Sequence, residues 1–301
     1  MATIEVNNIV KSFAAQKAVD GVSFDVQPGE IFGLLGPNGA GKTTSIRIIL
    51  DIFKPDSGKV AVFGGKMDEE KKNRIGYMPE ERGLYQDIDL ERCLVYLATL
   101  KGLTAETART RINTYLEKFD LAAHRHKKIK ELSKGMQQKA QLIVTLVHQP
   151  EIIIIDEPFS GLDPVNTQMV KDILREERNR GVTLVMSTHQ MHQVEELCDR
   201  IVLIHQGKVM LYGELNEVRR RYAQPAVAVR TVESLPTDLQ GVVSVSGEND
   251  ATHLKLAAGV SPQSILKQLV ERQIAVEQFE IAMPTLDEIF IQVVQGEGAP
   301  E

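Results

Sequence analysis

The chain has 301 residues, of which 43% are hydrophobic and 25% charged, and its formal net charge is −6. This length predicts about two domains, and the acidic balance argues against a nucleic-acid partner, which requires a basic surface. Two cysteines, Cys93 and Cys198, exclude a disulfide scaffold and suit a reducing cytosol. Because no apolar run reaches about 18 residues and no hydrophobic leader is present, we expect a cytoplasmic chain, with a membrane partner still possible.

The first predicted elements are strands, a glycine-rich loop and a helix. TIEVNNIV and VSFDV are predicted strands, and IFGLLG is a short apolar run before the loop GPNGAGKTT. SIRIILDIF continues with helical spacing, and KVAVFG predicts another strand. Residues from about 82 to 150 are predicted to be mostly helical. Within them the basic run His124–Lys130 is either a solvated loop or a phosphate contact.

The glycine-rich loop fits the pattern G-x-x-x-x-G-K-[ST] between a predicted strand and a predicted helix. Its glycines let several backbone N–H groups face one phosphate, and the positive end of the helix favours the same group. We expect Lys42 to reach the β- and γ-phosphates of a nucleotide, Thr43 to bind Mg²⁺ and Thr44 to add a hydrogen bond. The alternative is a turn without a ligand. The predicted phosphate-binding residues are Gly36, Asn38, Gly39, Ala40, Gly41, Lys42, Thr43 and Thr44.

The run EIIIIDEP ends in two carboxylates, Asp156 and Glu157. A continuous apolar run is typical of a parallel strand that is covered on both faces, and ligands of α/β proteins bind at the carboxyl ends of such strands. Asp156 is therefore placed to hold Mg²⁺, directly or through water. Glu157 is placed to orient or deprotonate an attacking water. A helix-capping acidic pair is the alternative.

Two further side chains follow predicted strands. His189 ends the buried strand GVTLVMSTH; such a histidine is usually structural, but beside a phosphate loop we expect it to contact a γ-phosphate. Phe13 follows the first strand, where it either belongs to the core or stacks on a purine base. Strands and helices alternate up to this point, which predicts an α/β core with a parallel sheet.

After Gly213 the pattern changes. The helix ELNEVRRRYA leads to a Gln-Pro break at 224–225, and three segments with strand-like alternation follow. A helix, a strand and a final helix complete the chain. We therefore predict two domains, over 1–220 and 221–301, and the second is a small α+β domain without a recognisable catalytic constellation.

Taken together, these residues resemble the ATP-binding subunit of an ABC transporter over roughly residues 3–215. GPNGAGKTT is similar to the Walker A motif, IIIIDE to Walker B with Glu157 as its catalytic glutamate, and SGLD to the D-loop with Asp163. His189 matches the switch histidine and Phe13 the aromatic residue that stacks on adenine. LSKGMQQ lies where the family has its LSGGQ signature, and it retains Ser133 and Gly135, which resemble the pair that contacts phosphate.

The resemblance implies an α/β fold: a P-loop NTPase domain of the ABC ATPase type, with a mixed sheet core, an antiparallel β subdomain and a helical subdomain at about 82–150. A small α+β C-terminal domain follows it. The implied activity is ATP hydrolysis with Mg²⁺ that powers transport.

Two departures from the family pattern affect the site. The signature has Lys134 and Met136 in place of a glycine and a glutamine, and Lys134 either adds charge beside a phosphate or, as we favour, turns into solvent. Glu80 replaces the glutamine of the Q-loop. A carboxylate still accepts from water or approaches Mg²⁺ but cannot donate as an amide does. We group Glu80 with Thr43 and Asp156 as a metal-site residue. PEERGLY, LSKGMQQ and PTLDEIF together resemble a bacterial subgroup that serves sodium- and drug-efflux exporters.

In that family ATP lies between two subunits, with Walker A of one facing the signature of the other. Because this chain has one copy of each motif, the resemblance implies a homodimer or a dimer with a related chain. It also implies an integral-membrane permease that docks near 80–100, and a position on the inner face of the membrane. The signature helix start would then be both a helix cap and the anion site for the opposite subunit's ATP.

Three other functions are alternatives to this one. The first is a soluble ABC ATPase that acts without a permease. The second is a P-loop kinase or GTPase, which the absence of an Asn-Lys-x-Asp motif disfavours. The third is a hydrolysis-dead binding module, against which intact Lys42, Asp156, Glu157 and His189 argue.

Overall fold

The computed structural model describes residues 2–295, apart from positions 15, 82, 224, 234, 237, 249, 250 and 258. Arg82, where the predicted helical segment begins, and Gln224 of the predicted break therefore lie outside the described residues. The chain divides into two units, Met1–Leu215 and Asn216–Glu301. Within the described ranges, no helix is both long and apolar enough to cross a bilayer.

The first unit contains nine strands, seven α-helices and two short 3₁₀ helices, Ala122–His124 and Ile129–Glu131, among its described residues. Its strands are β1 (Ile4–Phe13), β2 (Gln16–Val26), β3 (Ile31–Leu35), β4 (Ser57–Val62), β5 (Ile75–Met78), β6 (Ile152–Asp156), β7 (Thr183–Thr188), β8 (Arg200–His205) and β9 (Lys208–Glu214). Its helices are α1 (Lys42–Ile49), α2 (Glu69–Asn73), α3 (Leu90–Leu100), α4 (Ala105–Lys118), α5 (Lys134–Leu146), α6 (Pro164–Asn179) and α7 (Met191–Leu197). A further helix, α8 (Leu215–Tyr222), begins at the last residue of the first unit and continues into the second.

A six-stranded mixed sheet forms the core of the first unit, in the order β5-β6-β7-β3-β8-β9. Neighbouring strands pair in parallel from β5 through β6, β7 and β3 to β8, and β9 is an antiparallel strand at the edge. Every residue of β3, β6 and β7 is buried, as expected for parallel strands that are covered on both faces. The predicted mixed sheet core is thus confirmed.

The antiparallel subdomain predicted from the resemblance is a three-stranded sheet of order β2-β1-β4. Its alternating residues, including Ile4, Val6 and Ile9, are buried in one cluster with Ile46 and Ile49 of α1. The prediction is confirmed. Two short elements, α2 and β5, were not predicted, because five and four residues are too few for a periodic pattern to emerge.

The predicted helical segment contains α3, α4 and α5, and α5 crosses β5 at Gly76. A Cβ on Gly76 would lie 2.4 Å from Thr145 O and 3.1 Å from Pro150 Cγ. This contact fixes α5 against the sheet that carries the strand ends described below.

We expect Gly76→Ala to lower the free energy of unfolding by about 1–3 kcal/mol, because the added methyl group would force α5 away from β5. Chemical denaturation measures the change. Gly83→Ala is the control, since a Cβ there meets nothing within 4 Å. Equal stability of the two variants would contradict the close approach.

The second unit contains β10 (Ala226–Thr231), β11 (Val242–Glu248), β12 (Ala251–Leu256), α9 (Pro262–Glu271), β13 (Val276–Ile281) and α10 (Leu286–Gln295). The strands form an antiparallel sheet of order β11-β12-β10-β13. Val227, Val229 and Leu254 of this sheet are buried in a cluster with Ile265 and Leu269 of α9. The predicted α+β character of the C-terminal region is confirmed.

Candidate functional site

Parallel pairing brings the chemically active strand ends to one edge of the central sheet. Leu35, the last residue of β3, pairs with Thr188, and Asp156 pairs with Ser187. The glycine-rich loop leaves β3 at this edge, Glu157 follows β6 and His189 follows β7. Since ligands of open α/β sheets bind outside the carboxyl ends of the strands, this edge is the candidate site.

The glycine-rich loop needs its glycines for two different reasons. Gly41 precedes α1 with φ 110°, and a Cβ there would lie 2.4 Å from Ala18 O. Gly39 has φ 77°, but a Cβ there would meet nothing within 4 Å. Gly41 therefore permits the close approach of the loop to Ala18 of β2, whereas Gly39 is favoured by its left-handed backbone conformation and not by a lack of space. The loop forms a cradle at the positive end of α1, where backbone N–H groups attract anions.

Lys42 is buried, with 6% of its surface exposed, and its Nζ donates to Gly36 O at 2.7 Å and Pro37 O at 3.2 Å. Burial lowers the pKa of Lys42, and the carboxylates of Glu157, Asp156 and Glu80 oppose this shift. The ammonium group thus lies close to three carboxylates, which give the site a negative balance. Positive charge from a bound metal ion would therefore strengthen the binding of a polyanionic nucleotide at this site.

Thr43 and Asp156 lie in direct contact although they are 113 positions apart in the sequence. Thr43 Oγ1 donates to Asp156 Oδ2 at 2.8 Å, and Ser187 Oγ donates to Asp156 Oδ1. A hydroxyl and a carboxylate are the oxygen ligands that Mg²⁺ prefers, together with water and nucleotide phosphates. The donor set therefore fits Mg²⁺. The described residues contain no group of three or more His, Cys, Asp or Glu side chains that could hold a metal without such a nucleotide.

Glu157 is held by three hydrogen bonds to its carboxylate. Thr188 Oγ1 donates to Oε2 at 3.1 Å, His189 N donates to Oε1 at 3.1 Å, and His189 Nδ1 lies 2.7 Å from Oε1. The backbone of Glu157 has φ 53°, an unfavourable region for a residue with a side chain that recurs at functional sites. The arrangement fixes one buried carboxylate beside the cradle, where it could orient a water molecule.

These groups surround a cavity of about 200 Å³. Its lining residues are Ala18, Asn38, Gly39, Ala40, Gly41, Lys42, Thr43, Thr44, Glu80, Asp156 and Glu157. Typical small-molecule pockets measure about 300–1,000 Å³, so this cavity suits the phosphate end of a nucleotide. A larger cavity of about 590 Å³ lies beside α1 and β4, but its lining contains none of the predicted site residues.

Six of the predicted site residues do not belong to the described lining of this cavity: Phe13, Gly36, Ser133, Gly135, Asp163 and His189. Phe13 is 45% exposed, and its ring lies edge-on to Phe53 with centroids 5.5 Å apart. Lys11 Nζ lies over the ring, 5.7 Å from its centroid, and the exposed part of the side chain is available for stacking.

The signature and the D-loop are neighbours within the chain. Ser133 is exposed and caps α5, accepting from Met136 N at 3.2 Å, and Lys134 is also exposed. A Cβ on Gly135 would lie 3.6 Å from Gly161 O of the D-loop, where Asp163 caps α6 through Asn166 N at 2.9 Å. Ser133, Lys134 and Asp163 are thus exposed residues that do not line the cavity.

Four contributors were not predicted from the sequence. Ser187 and Thr188 hold the two carboxylates, and they could have been found as polar residues that end a buried strand. Gln138 and Gln141 lie on the buried side of α5. Gln138 Nε2 donates to Glu157 O at 3.4 Å and Pro158 O at 3.3 Å, and Gln141 Nε2 donates to Pro79 O and Glu81 O.

Comparison with known proteins identifies similar sequences and folds. The family described as "ABC transporter" matches residues 19–160, and "ATP-binding protein DrrA1-3-like, C-terminal domain" matches residues 213–294. An uncharacterised ABC transporter ATP-binding protein of Bacillus subtilis (strain 168), YhaQ, is 38% identical over 97% of this chain and 98% of its own. Nod factor export ATP-binding protein I of Burkholderia pseudomallei is 37% identical over 71% of each chain. A solved ATP-binding subunit of an ABC transporter has a TM-score of 0.68 and 32% identity, over 73% of this chain and 93% of that chain.

Proposed function

This chain belongs to the ABC transporter ATP-binding proteins, and from that premise we propose that it powers export through a separate membrane permease by ATP-driven closure of a two-subunit dimer. The activity of the family, ATP binding and hydrolysis coupled to transport, is the basis of the proposal. One observation carries the finer steps. The phosphate cavity and the exposed helix start at Ser133 lie in the same chain, but Ser133 is not part of the described cavity lining.

In the proposed reaction the loop N–H groups and Lys42 bind the β- and γ-phosphates of ATP. Thr43 and Asp156, with Glu80 beside them, would hold Mg²⁺, which would supply positive charge to the phosphates. Glu157 orients a water molecule and accepts its proton as the water attacks the γ-phosphate. The bond between the γ-phosphorus and the oxygen that bridges to the β-phosphate breaks, and ADP and inorganic phosphate are the products. The contact of 2.7 Å between His189 Nδ1 and Glu157 Oε1 keeps this carboxylate in place, and His189 contacts the γ-phosphate.

Closure follows from the need to complete the site. The cavity of about 200 Å³ receives only the phosphate end of ATP, so the remaining surface of the nucleotide would stay in water in a single subunit. In the proposed dimer, Ser133 and the N–H groups near Gly135 of one subunit meet the γ-phosphate held by Lys42 of the other. Hydrolysis removes the shared phosphate and lets the subunits separate.

We assign residues 1–220 to the nucleotide-binding domain, with its helical subdomain at about 82–150, and residues 221–301 to an accessory domain. The division after Leu215 and the start of the second family match at residue 213 support this assignment. Phe13, whose side chain is partly exposed, is assigned to stacking on adenine.

Exposed side chains on α3 and in the segment that precedes it are the proposed permease contact. Tyr85 and Tyr96 are each 47% exposed and Leu100 is 61% exposed. The two tyrosine rings meet edge to face with centroids 5.7 Å apart. Exposed aromatic pairs of this kind are frequent anchors of protein interfaces. Docking at this surface would place the chain on the inner face of the membrane.

We expect the double variant Tyr85→Ala/Tyr96→Ala to bind the proposed membrane permease at least about tenfold more weakly, because two aromatic anchors are lost. Co-purification from membranes that contain the permease measures the effect. Ile52→Ala, which removes a 56% exposed side chain elsewhere, is the control. If the wild-type chain hydrolyses ATP but no permease co-purifies with it, a soluble ABC ATPase becomes the better assignment.

The direction of transport rests on one relative, whose name describes Nod factor export. We extend export to this chain on that similarity and on the efflux-type tail PTLDEIF. Transport into vesicles that carry the reconstituted permease with this subunit and ATP on the outside tests the direction. Export predicts ATP-driven accumulation of substrate inside the vesicles, and ATP-driven release of preloaded substrate to the side of this subunit would contradict it.

A further inference from the structure

Gln141 is a buried polar residue on α5, only 5% exposed, whose side chain contacts the loop after β5. Its Nε2 donates to Pro79 O at 3.1 Å and to Glu81 O at 3.3 Å. These two carbonyl groups flank Glu80 in the sequence. A single amide therefore fixes the backbone on both sides of the carboxylate that replaces the glutamine of the Q-loop.

The orientation of this amide follows from its partners. Both carbonyl oxygens can only accept, so the NH₂ group must face them. The other end of the amide, Oε1, is buried without a hydrogen-bond partner among the described residues. A buried acceptor without a partner is unfavourable, and an apolar side chain of similar size would avoid it. Packing alone therefore does not explain a glutamine at this position. Its two hydrogen bonds to the carbonyl groups offset the unfavourable burial of Oε1.

The part of α5 that carries Gln141 is held in place by further contacts. Thr145 Oγ1 donates to Gln141 O at 3.0 Å, and the next turn of α5 packs against β5 at Gly76. Three residues earlier, Gln138 contacts the carbonyl groups of Glu157 and Pro158. The same helix therefore contacts the backbone of Glu157 and of the two residues that flank Glu80.

Glu80 itself is exposed, but it lines the cavity with Lys42, Thr43 and Asp156. An exposed side chain on a loop loses its position when the loop moves. Outer contacts that orient a metal-site residue typically change metal affinity or activity by about 10–100-fold when they are removed. A contact that fixes the backbone around Glu80 therefore also fixes the position of its carboxylate at the cavity.

We propose that Gln141 is a positioning residue for Glu80, and that it sets the affinity of the nucleotide-bound site for Mg²⁺ by holding the carbonyl groups of Pro79 and Glu81. The proposal rests on the ATPase function and on the metal-site role proposed above for Glu80. It extends both to a side chain that does not line the cavity.

The test is Gln141→Met, which keeps length and burial but removes the amide donors. We expect the Mg²⁺ concentration that half-saturates ATP hydrolysis to rise about tenfold. A second readout does not depend on turnover: binding of Mn²⁺ to the ATP-loaded chain, followed by electron paramagnetic resonance, should weaken by the same factor. Amide hydrogen exchange at Glu80 and Glu81 should become faster, while ATP binding without metal stays unchanged.

Lys101→Met is the matched control, because Lys101 Nζ donates at 3.0 Å to two carbonyl groups, Lys72 O and Ile75 O, at the other end of β5. Its loss should affect stability without changing the Mg²⁺ or Mn²⁺ dependence. In a Glu80→Ala background, Gln141→Met should have no further effect on either metal.

Two results would overturn the proposal. One is an unchanged metal dependence of Gln141→Met in an active protein, and the other is a full, additive effect in the Glu80→Ala background. Failure of the proposed function itself would be distinct, since the wild-type chain would then bind no ATP or show no metal-dependent hydrolysis.

Discussion

Replacement of Glu157 by Gln is expected to slow ATP hydrolysis by about 10²–10⁴-fold, the usual contribution of a positioned general base. The amide has the size of the carboxylate, and its oxygen can still accept from His189 N, which lies 3.1 Å from Oε1 in the wild-type chain. The cradle around Lys42 is unchanged. The variant should therefore bind ATP with Mg²⁺ normally and accumulate as a dimer, because the nucleotide that joins two subunits is no longer consumed.

Light scattering with and without ATP and Mg²⁺ measures this accumulation, and a phosphate-release assay measures the rate. Glu177→Gln is the matched control: the side chains of Glu177 and Glu157 are each 7% exposed, but Glu177 pairs with Arg180 on α6. We expect that control to hydrolyse ATP at the wild-type rate. A Glu157→Gln variant that stays monomeric with ATP and Mg²⁺ would show that the dimer mechanism assigned here is wrong.

The two carboxylates at the end of β6 differ because their environments differ. Asp156 lies between the hydroxyl groups of Thr43 and Ser187, so both of its oxygens face groups that can share a metal or a water. Glu157 turns away through a left-handed backbone conformation and is held by Thr188 and His189. Neighbouring residues of one strand end can therefore carry two separate roles in the proposed reaction, metal binding and water activation.

Most of the parallel core could be predicted because a local sequence pattern indicates each of these strands. Four consecutive isoleucines, Ile152–Ile155, indicate a strand that is buried on both faces, and the rule that parallel strands end at one edge predicts the meeting of Asp156, Glu157 and His189. The positive end of α1 and its glycine loop follow a motif with a clear physical reason. These elements depend on local sequence, and the structure contains them where the pattern places them.

Other parts of the site depend on tertiary contacts that no local pattern contains. Gln141 is an ordinary helix residue by propensity, and its partners, Pro79 O and Glu81 O, lie 62 and 60 positions away. The strand β5, which brings them there, has only four residues. The contact exists because α5 packs tightly at Gly76, a consequence of the whole core rather than of the helix sequence.

Ser133→Asp is expected to abolish closure and hydrolysis while a single subunit still binds ATP. Ser133 is exposed and caps α5, and its Oγ accepts from Met136 N. Asp caps a helix about as well as Ser, and no acidic residue occupies the first turn of α5, so the new charge is favoured by the helix dipole. The fold should therefore persist. In the closed dimer, however, the new carboxylate would face the γ-phosphate held by the opposite Lys42, and like charges at an interface cost several kcal/mol.

The measurement combines Ser133→Asp with Glu157→Gln, because only a trapped dimer makes closure visible. Light scattering should show monomers with ATP and Mg²⁺, while equilibrium dialysis shows unchanged ATP binding. Thr104→Asp is the matched control: Thr104 is the exposed cap of α4, accepting from Thr107 N at 3.2 Å, and its replacement should leave the trapped dimer intact. Ser133→Asn keeps a neutral cap of similar size, so a dimer in that variant would assign the effect to charge. A dimer in the Ser133→Asp double variant would instead mean that the start of α5 does not meet the nucleotide of the other subunit.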